Sequence, residues 1–200
     1  MAVRRRRVLG SLIALTYAAD PQIGCRAVEA IGVAAFRISE DDPDRVRDLL
    51  RRLMWLVNDE SGGICWRAPE AMAEILRRRP TLYPEYIPIV TSLLVNLERE
   101  DLEHFRVGVL RALGRLGPLA ADHFRDVASA VVSALSHTDP QVRGMAAWCL
   151  GEVGRADLLL EQRDLCVDDG SVTLYEDGSI SRATVSQLVQ RALSARRAEE

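Results

Sequence analysis

The sequence predicts a mainly α chain. The expected fold is a right-handed α-solenoid of about four helix pairs over residues 1–155. A small three-stranded β-meander and a capping helix over residues 156–200 follow it. Three observations predict this. One segment recurs about every forty residues. Each recurrence follows a stretch whose apolar residues lie three and four apart, as a core-facing helix requires. After Gly154 that period gives way to two Asp-Gly steps flanked by alternating residues, the signature of short strands joined by tight turns.

The repeat is clearest in DPQIGCRAVEAIG, from Asp20, and DPQVRGMAAWCLG, from Asp139. Both begin with DPQ, carry an aliphatic residue fourth and close on aliphatic-Gly. Between them, SGGICWRAPEAMA ends at Ala73 and LEHFRVGVLRALG ends at Gly114. The ends at Gly32, Ala73, Gly114 and Gly151 are 41, 41 and 37 residues apart. The helices that precede these segments are expected near 3–18, over DPDRVRDLLRRLMWLV, from about Pro84 to Leu97, and from about Ala121 to Leu135. In the second, Asp42 is the expected N-cap and Pro43 the first helical residue. Helix pairs at this period cannot bury their apolar faces alone and must stack.

The N-terminus allows two readings. MAVRRRRVLGSLIALTYAAD has a basic start and an apolar run, as a signal peptide does. Leu9, Leu12, Ile13 and Thr16 also fall at helical spacing, and the first pair needs this segment as its first helix. The run is too short to span a bilayer. A net charge of −3 gives no general attraction to nucleic acid or anionic lipid. All 26 basic residues are arginine, which fits codon bias or selection for bidentate contacts. Cys25, Cys65, Cys149 and Cys166 form no CxxC pair, and scattered cysteines fit a reducing, cytoplasmic setting.

FRVGVLRALGRLG and DPQVRGMAAWCLGEVG resemble the second helix of HEAT repeats, closest to the bacterial kind also called PBS-lyase HEAT-like. The resemblance covers about residues 1–155, with the fourth unit matching best and the second least. NDESGGICWRAPE is similar to a segment of uncharacterised bacterial HEAT-repeat proteins. HEAT repeats often carry an acidic residue in the turn and an arginine early in the second helix, forming a ladder between units. The turn positions here are Ala18, Asp59, Glu100 and His137, and the arginine positions hold Gly24, Cys65, Arg106 and Arg143. The resemblance therefore implies Asp59–Arg106 and Glu100–Arg143 pairs, worth about 0.2–1 kcal/mol each.

Within RDLCVDDGSVTLYEDGSISRAT, strands are expected near 164–168, 171–176 and 179–183. Leu165, Val167, Val172 and Leu174 would then share a face. Thr184 would cap a last helix with Val185, Leu188, Val189 and Ala192 in one stripe. The module is either a lid on the open end of the stack or a recognition unit displaying Tyr175 and Arg182.

Second helices of such units line an inner face, where solenoids bind. Its columns read Glu29, Glu70, Arg111, Trp148 and, one turn on, Val33, Glu74, Arg115, Glu152. The resemblance implies a non-catalytic interaction scaffold or adaptor that holds a protein or peptide there. The expected contact residues are Trp66, Arg67, Asp59, Glu60, Glu70, Arg26, Glu29, Arg111 and Trp148. Pro69 delays the second helix of unit two to Ala68 or Pro69 and leaves DESGGICWR as a longer loop. Trp66 on that loop either plugs the space between units or anchors a partner.

Two alternatives follow from relatives of the fold. The PBS-lyase name suggests a lyase-type enzyme acting on a tetrapyrrole or similar group, though no residue set for it is evident. DNA glycosylases with HEAT-like folds suggest a nucleic-acid binder, against which Glu29, Glu70 and Glu74 speak. The HEAT-repeat deoxyhypusine hydroxylase binds iron through His-Glu dipeptides. Here His104, His123 and His137 precede no glutamate, so no metal or other cofactor is implied.

Overall fold

The computed structural model describes residues 2–57, 67–97 and 103–199. The chain is mainly helical with a small two-stranded antiparallel sheet. It packs as two compact units, Met1–Val90 and Thr91–Glu200, so the change of pattern at 155/156 lies inside the second unit.

The first unit contains α1 (Ala2–Leu15), α2 (Pro21–Ser39), α3 (Pro43–Val57) and α4 (Ala68–Arg78). α1 buries Leu9 and Ile13, and Thr16 just after it is buried with its hydroxyl donating to the Ile13 carbonyl at 2.6 Å. Asp20 starts α2: its carboxylate accepts the Gln22 N–H at 2.8 Å, and Pro21 occupies the first turn. Asp42 does the same for α3, accepting from the Arg45 N–H at 3.2 Å. α3 buries Val46, Leu49, Leu50, Leu53 and Val57, a stripe at three and four that leaves Trp55 on the opposite side. α4 begins at Ala68, as Pro69 dictates, and is buried from Ala68 to Leu76.

α5 (Ile87–Asn96) crosses the unit boundary. The second unit continues with α6 (Arg106–Leu116), α7 (Ala121–Phe124), α8 (Ala128–Ala134) and α9 (Pro140–Glu152). β1 (Ser171–Glu176), β2 (Ser179–Thr184) and α10 (Val185–Glu199) complete it. α9 lies at its centre, against α6, α8, β1 and α10. The single helix expected over 121–135 is two pieces joined by a turn. Phe124, Val127 and Val131 stay buried through it, so the apolar stripe survives a local tightening in which the Val127 N–H bonds to the Phe124 carbonyl.

The hairpin confirms one Asp-Gly turn and corrects the other. Asp177 and Gly178 have φ of 48° and 77°, the left-handed pair that a two-residue hairpin turn needs. Glu176 pairs with Ser179 across it. The strand expected near 164–168 is instead a 3-10 helix, Arg163–Val167. Neither Asp169 nor Gly170 has a positive φ. The Asp168 carboxylate accepts the Gly170 N–H at 2.9 Å, and the Gly170 and Asp168 carbonyls accept the first N–H groups of α10, from Val185 and Ser186. These backbone groups close onto α10 and leave no ladder for a third strand. Leu165 is buried with Val172 and Leu174, whereas Val167 is 82% exposed and does not share their face. α10 starts in a capping box, with Gln187 and Thr184 exchanging backbone N–H and side-chain oxygen bonds. It buries Val185, Leu188, Val189 and Ala192, as expected.

Candidate functional site

The expected contact residues separate into three sets. Trp66, Asp59 and Glu60 lie outside the described residues, as do Glu100 and Cys65. In the first unit, Arg67 precedes α4 and reaches back to α2, with Nη1 3.4 Å from Cys25 Sγ and 3.4 Å from Glu70 Oε1. A Cβ on Gly24 would meet the Arg67 guanidinium arm, so α2 carries glycine where the arginine lies. Glu70 and Glu74 are buried, not displayed. Glu74 accepts from Arg77 Nε at 2.9 Å and from Arg78, and burying carboxylates is tolerated because arginines neutralise them. The three-glutamate inner surface expected from the columns is thus reduced at the surface to Glu29.

In the second unit, Arg111 and Trp148 both meet the end of β1, Arg111 half-buried and Trp148 covered. Trp148 is 4% exposed and does not form part of an open binding face. Its ring lies against Gly114, where any Cβ would collide with it. Its indole N–H donates to Glu176 Oε1 at 3.1 Å. The Arg111 guanidinium stacks 5.2 Å from the centre of the Tyr175 ring and donates to the Tyr175 carbonyl at 2.6 Å. Tyr175 is therefore buried under Arg111 and is not displayed as the recognition reading required. The reason is non-local: the hairpin and α10 lie on α9, and nothing within the α9 segment encodes that cover.

This cover carries its own charge network. Arg191 on α10 donates to both Glu176 oxygens, at 2.6 and 2.7 Å, and approaches Glu152 at 3.7 Å. Burial raises the Glu176 carboxyl, but the Arg191 and Trp148 donors outweigh it and hold Glu176 below the usual carboxylate range. Glu152 is raised, because burial disfavours its charge more than Arg191 restores it. Trp148, Gly151, Glu152, Leu188, Arg191 and Ala192 line a cleft of about 240 Å³ with Ala195. Burial also pushes the Cys149 thiol far above its usual range, which keeps it a neutral core group.

The two arginines of the expected ladder have these partners among the described residues. Arg143 binds Asp168 through Nε at 2.7 Å and Nη2 at 3.2 Å, and its Nη1 donates to the His137 and Thr138 carbonyls. The pair with Arg143 holds Asp168 below the usual carboxylate range. Arg106 pairs with Glu103. Asp59 and Glu100, the partners expected for Arg106 and Arg143, lie outside the described residues.

One side of α2 is exposed. Ile23 is 44% and Val33 is 51% exposed, with Arg26 and Arg37 exposed on the same side and Glu29 half-buried beside them. The spacing 23, 26, 30, 33, 37 is one helical stripe. On α3, Trp55 is 63% exposed. Sequence reasoning passed over Trp55 and Ile23, yet both fall off their helices' buried stripes, and that is the signal that finds them. Among the described residues there is no group of three or more His, Cys, Asp and Glu that could hold a metal ion, and no helix long and apolar enough to cross a membrane.

Comparisons with known proteins agree with this architecture over part of the chain. A family model described as HEAT repeats matches residues 90–169, which take in most of α5 and all of α6 to α9. An uncharacterized protein of Archaeoglobus fulgidus is 29% identical over 113 residues, 56% of this chain and 56% of that protein. The match thus spans about half the length of that relative. No solved structure matches. From α5 to the end of α9 the chain is helical and similar in sequence to HEAT repeats.

Proposed function

We propose that this chain is a non-catalytic interaction scaffold that holds a protein or peptide on the exposed side of α2. HEAT repeats commonly serve as such scaffolds, and residues 90–169 carry that similarity. One observation supports placing the surface on α2. Its exposed side presents Ile23 and Val33 with Arg26 between them, on a 19-residue helix whose other side is packed. Apolar groups spaced along a rigid helix and flanked by arginine suit a protein partner, since arginine and apolar anchors dominate such contacts. Glu29 lies half-buried beside this surface, and Trp66, the residue before Arg67, belongs to the proposal as an anchor. The buried thiols of Cys25 and Cys149 are consistent with a cytoplasmic protein.

The test is retention of partners from native lysate by wild type and by an Ile23→Asp, Val33→Asp double variant. Both positions are exposed, so the variant should melt like the wild type. The reading expects a specific protein to be lost from the variant and kept by an Arg163→Ala control on the second unit. Identical recovery by all three proteins would contradict it. A Trp66→Ala arm tells whether the preceding loop contributes.

A further inference from the structure

The two edges of the C-terminal hairpin differ. The register pairs Glu176 with Ser179, Leu174 with Ser181 and Val172 with Ala183. A two-residue turn closes on a hydrogen-bonded pair, so these residues carry the ladder and the alternate ones direct their backbone groups outward. On β1, side chains meet those groups. The Gln141 amide donates to the Thr173 carbonyl at 2.9 Å and accepts its N–H at 2.7 Å, while Arg111 donates to the Tyr175 carbonyl. On β2 the outward residues are Ile180, Arg182 and Thr184. The Thr184 N–H is taken by Gln187. Among the described residues, nothing meets the N–H and C=O of Ile180 and Arg182, and no ion pair engages the exposed Arg182 side chain.

We propose that the β2 edge joins two copies of this chain, antiparallel about a twofold axis at Ser181, into one four-stranded sheet. That axis sets Ile180 opposite Arg182 of the second copy. Each open N–H then meets an open C=O, with none left over, and the two Arg182 side chains are not directly opposed. A second copy fits better than a strand from another protein because of what it leaves behind. After self-pairing, the outer edges are the two β1 strands, each already engaged by Gln141 at Thr173 and by Arg111 at the Tyr175 carbonyl. A single foreign strand would bring an open edge of its own. The contact is small, so the dimer is weak and concentration-dependent.

Sedimentation velocity over roughly 1–300 µM reads this association. Wild type is expected to move from monomer to dimer across that range. Arg182→Pro deletes one outward N–H and leaves the β1–β2 ladder intact, and it should weaken the dimer more than about tenfold. Ser181→Cys, with Cys65 and the exposed Cys166 changed to serine, should cross-link across the axis, because residues in a non-hydrogen-bonded pair lie about 4.5 Å apart. Wild type that stays monomeric throughout overturns the proposal. So does a dimer unaffected by Arg182→Pro, or a dimer in which Ser181→Cys does not cross-link. If Arg182→Pro fails to fold, the Ser181→Cys result decides.

Discussion

α2 and α9 open on the same three residues, an aspartate cap followed by Pro-Gln. Asp20 and Asp139 adopt nearly identical conformations, with φ, ψ of −76°, 113° and −78°, 119°. Each accepts the N–H two residues on at 2.8 Å, and each is followed by proline at the first helical turn. Beyond that turn the helices diverge. The Gln141 side chain clamps Thr173 of β1, Val172 sits where Gly144 lacks a side chain, and α10 closes over Gly151. On α2, Ile23 and Val33 stay exposed. Local sequence thus decides where a helix starts, while a distant segment decides whether its face is core or surface.

The comparison can be broken most severely at Trp148. Trp148→Ala empties the space between Gly114 and Glu176 and should cost about 3–5 kcal/mol in urea unfolding. Val33→Ala, at the open helix, should stay within about 0.5 kcal/mol. Near-equal effects would deny that one helix is covered and the other open. Arg143→Ala is next. It removes the guanidinium from Asp168 and the donor from the His137 and Thr138 carbonyls, and a loss of about 1–3 kcal/mol is expected. The pair also sets a pH dependence. Asp168 is held below its ordinary value, so its contribution is complete above about pH 4 and is lost as pH falls through the folded value. Arg143→Ala should flatten this acid limb in a pH series of melts.

Asp20→Ala and Asp139→Ala sharpen the local half of the comparison. Identical caps predict similar costs of about 1 kcal/mol each, read as denaturation midpoints. Unequal losses would mean that the cover over α9 compensates for its cap. The smallest effect is expected at Glu152. Its folded value is raised, so the relative stability it gives is full below the ordinary glutamate value and declines as pH rises through the folded one. Glu152→Gln should therefore stabilise the protein slightly at neutral pH, by less than about 1 kcal/mol given its partial exposure, with no gain at pH 3.

These two helices also show what the sequence makes legible. The three-and-four spacing located the helices, and the DPQ starts located two of their N-termini. Asp177-Gly178 announced its hairpin because the turn is a local property of two residues. Asp169-Gly170 carries the same pair but no turn, since Asp168 is bound by Arg143 and the neighbouring carbonyls cap α10. Trp148 and Glu70 were assigned to an open surface from their columns, and Tyr175 by the recognition reading of the C-terminal strands. Their burial depends on Glu176, on the arginines beside the glutamates, and on Arg111, which the repeat alignment does not connect to them. Trp55 and Ile23 were legible from period alone, as apolar residues outside the buried stripe.

Hydroxyl-radical footprinting of the purified protein, alone and bound to a protein it retains, tests the central claim most directly. The account predicts that Ile23 and Val33 are modified in the free protein and protected in the complex. Trp148 should be protected in both states, while Trp55 reports full accessibility. Modification of Trp148 at the rate of Trp55, or an α2 whose labelling is unchanged on binding, would contradict it.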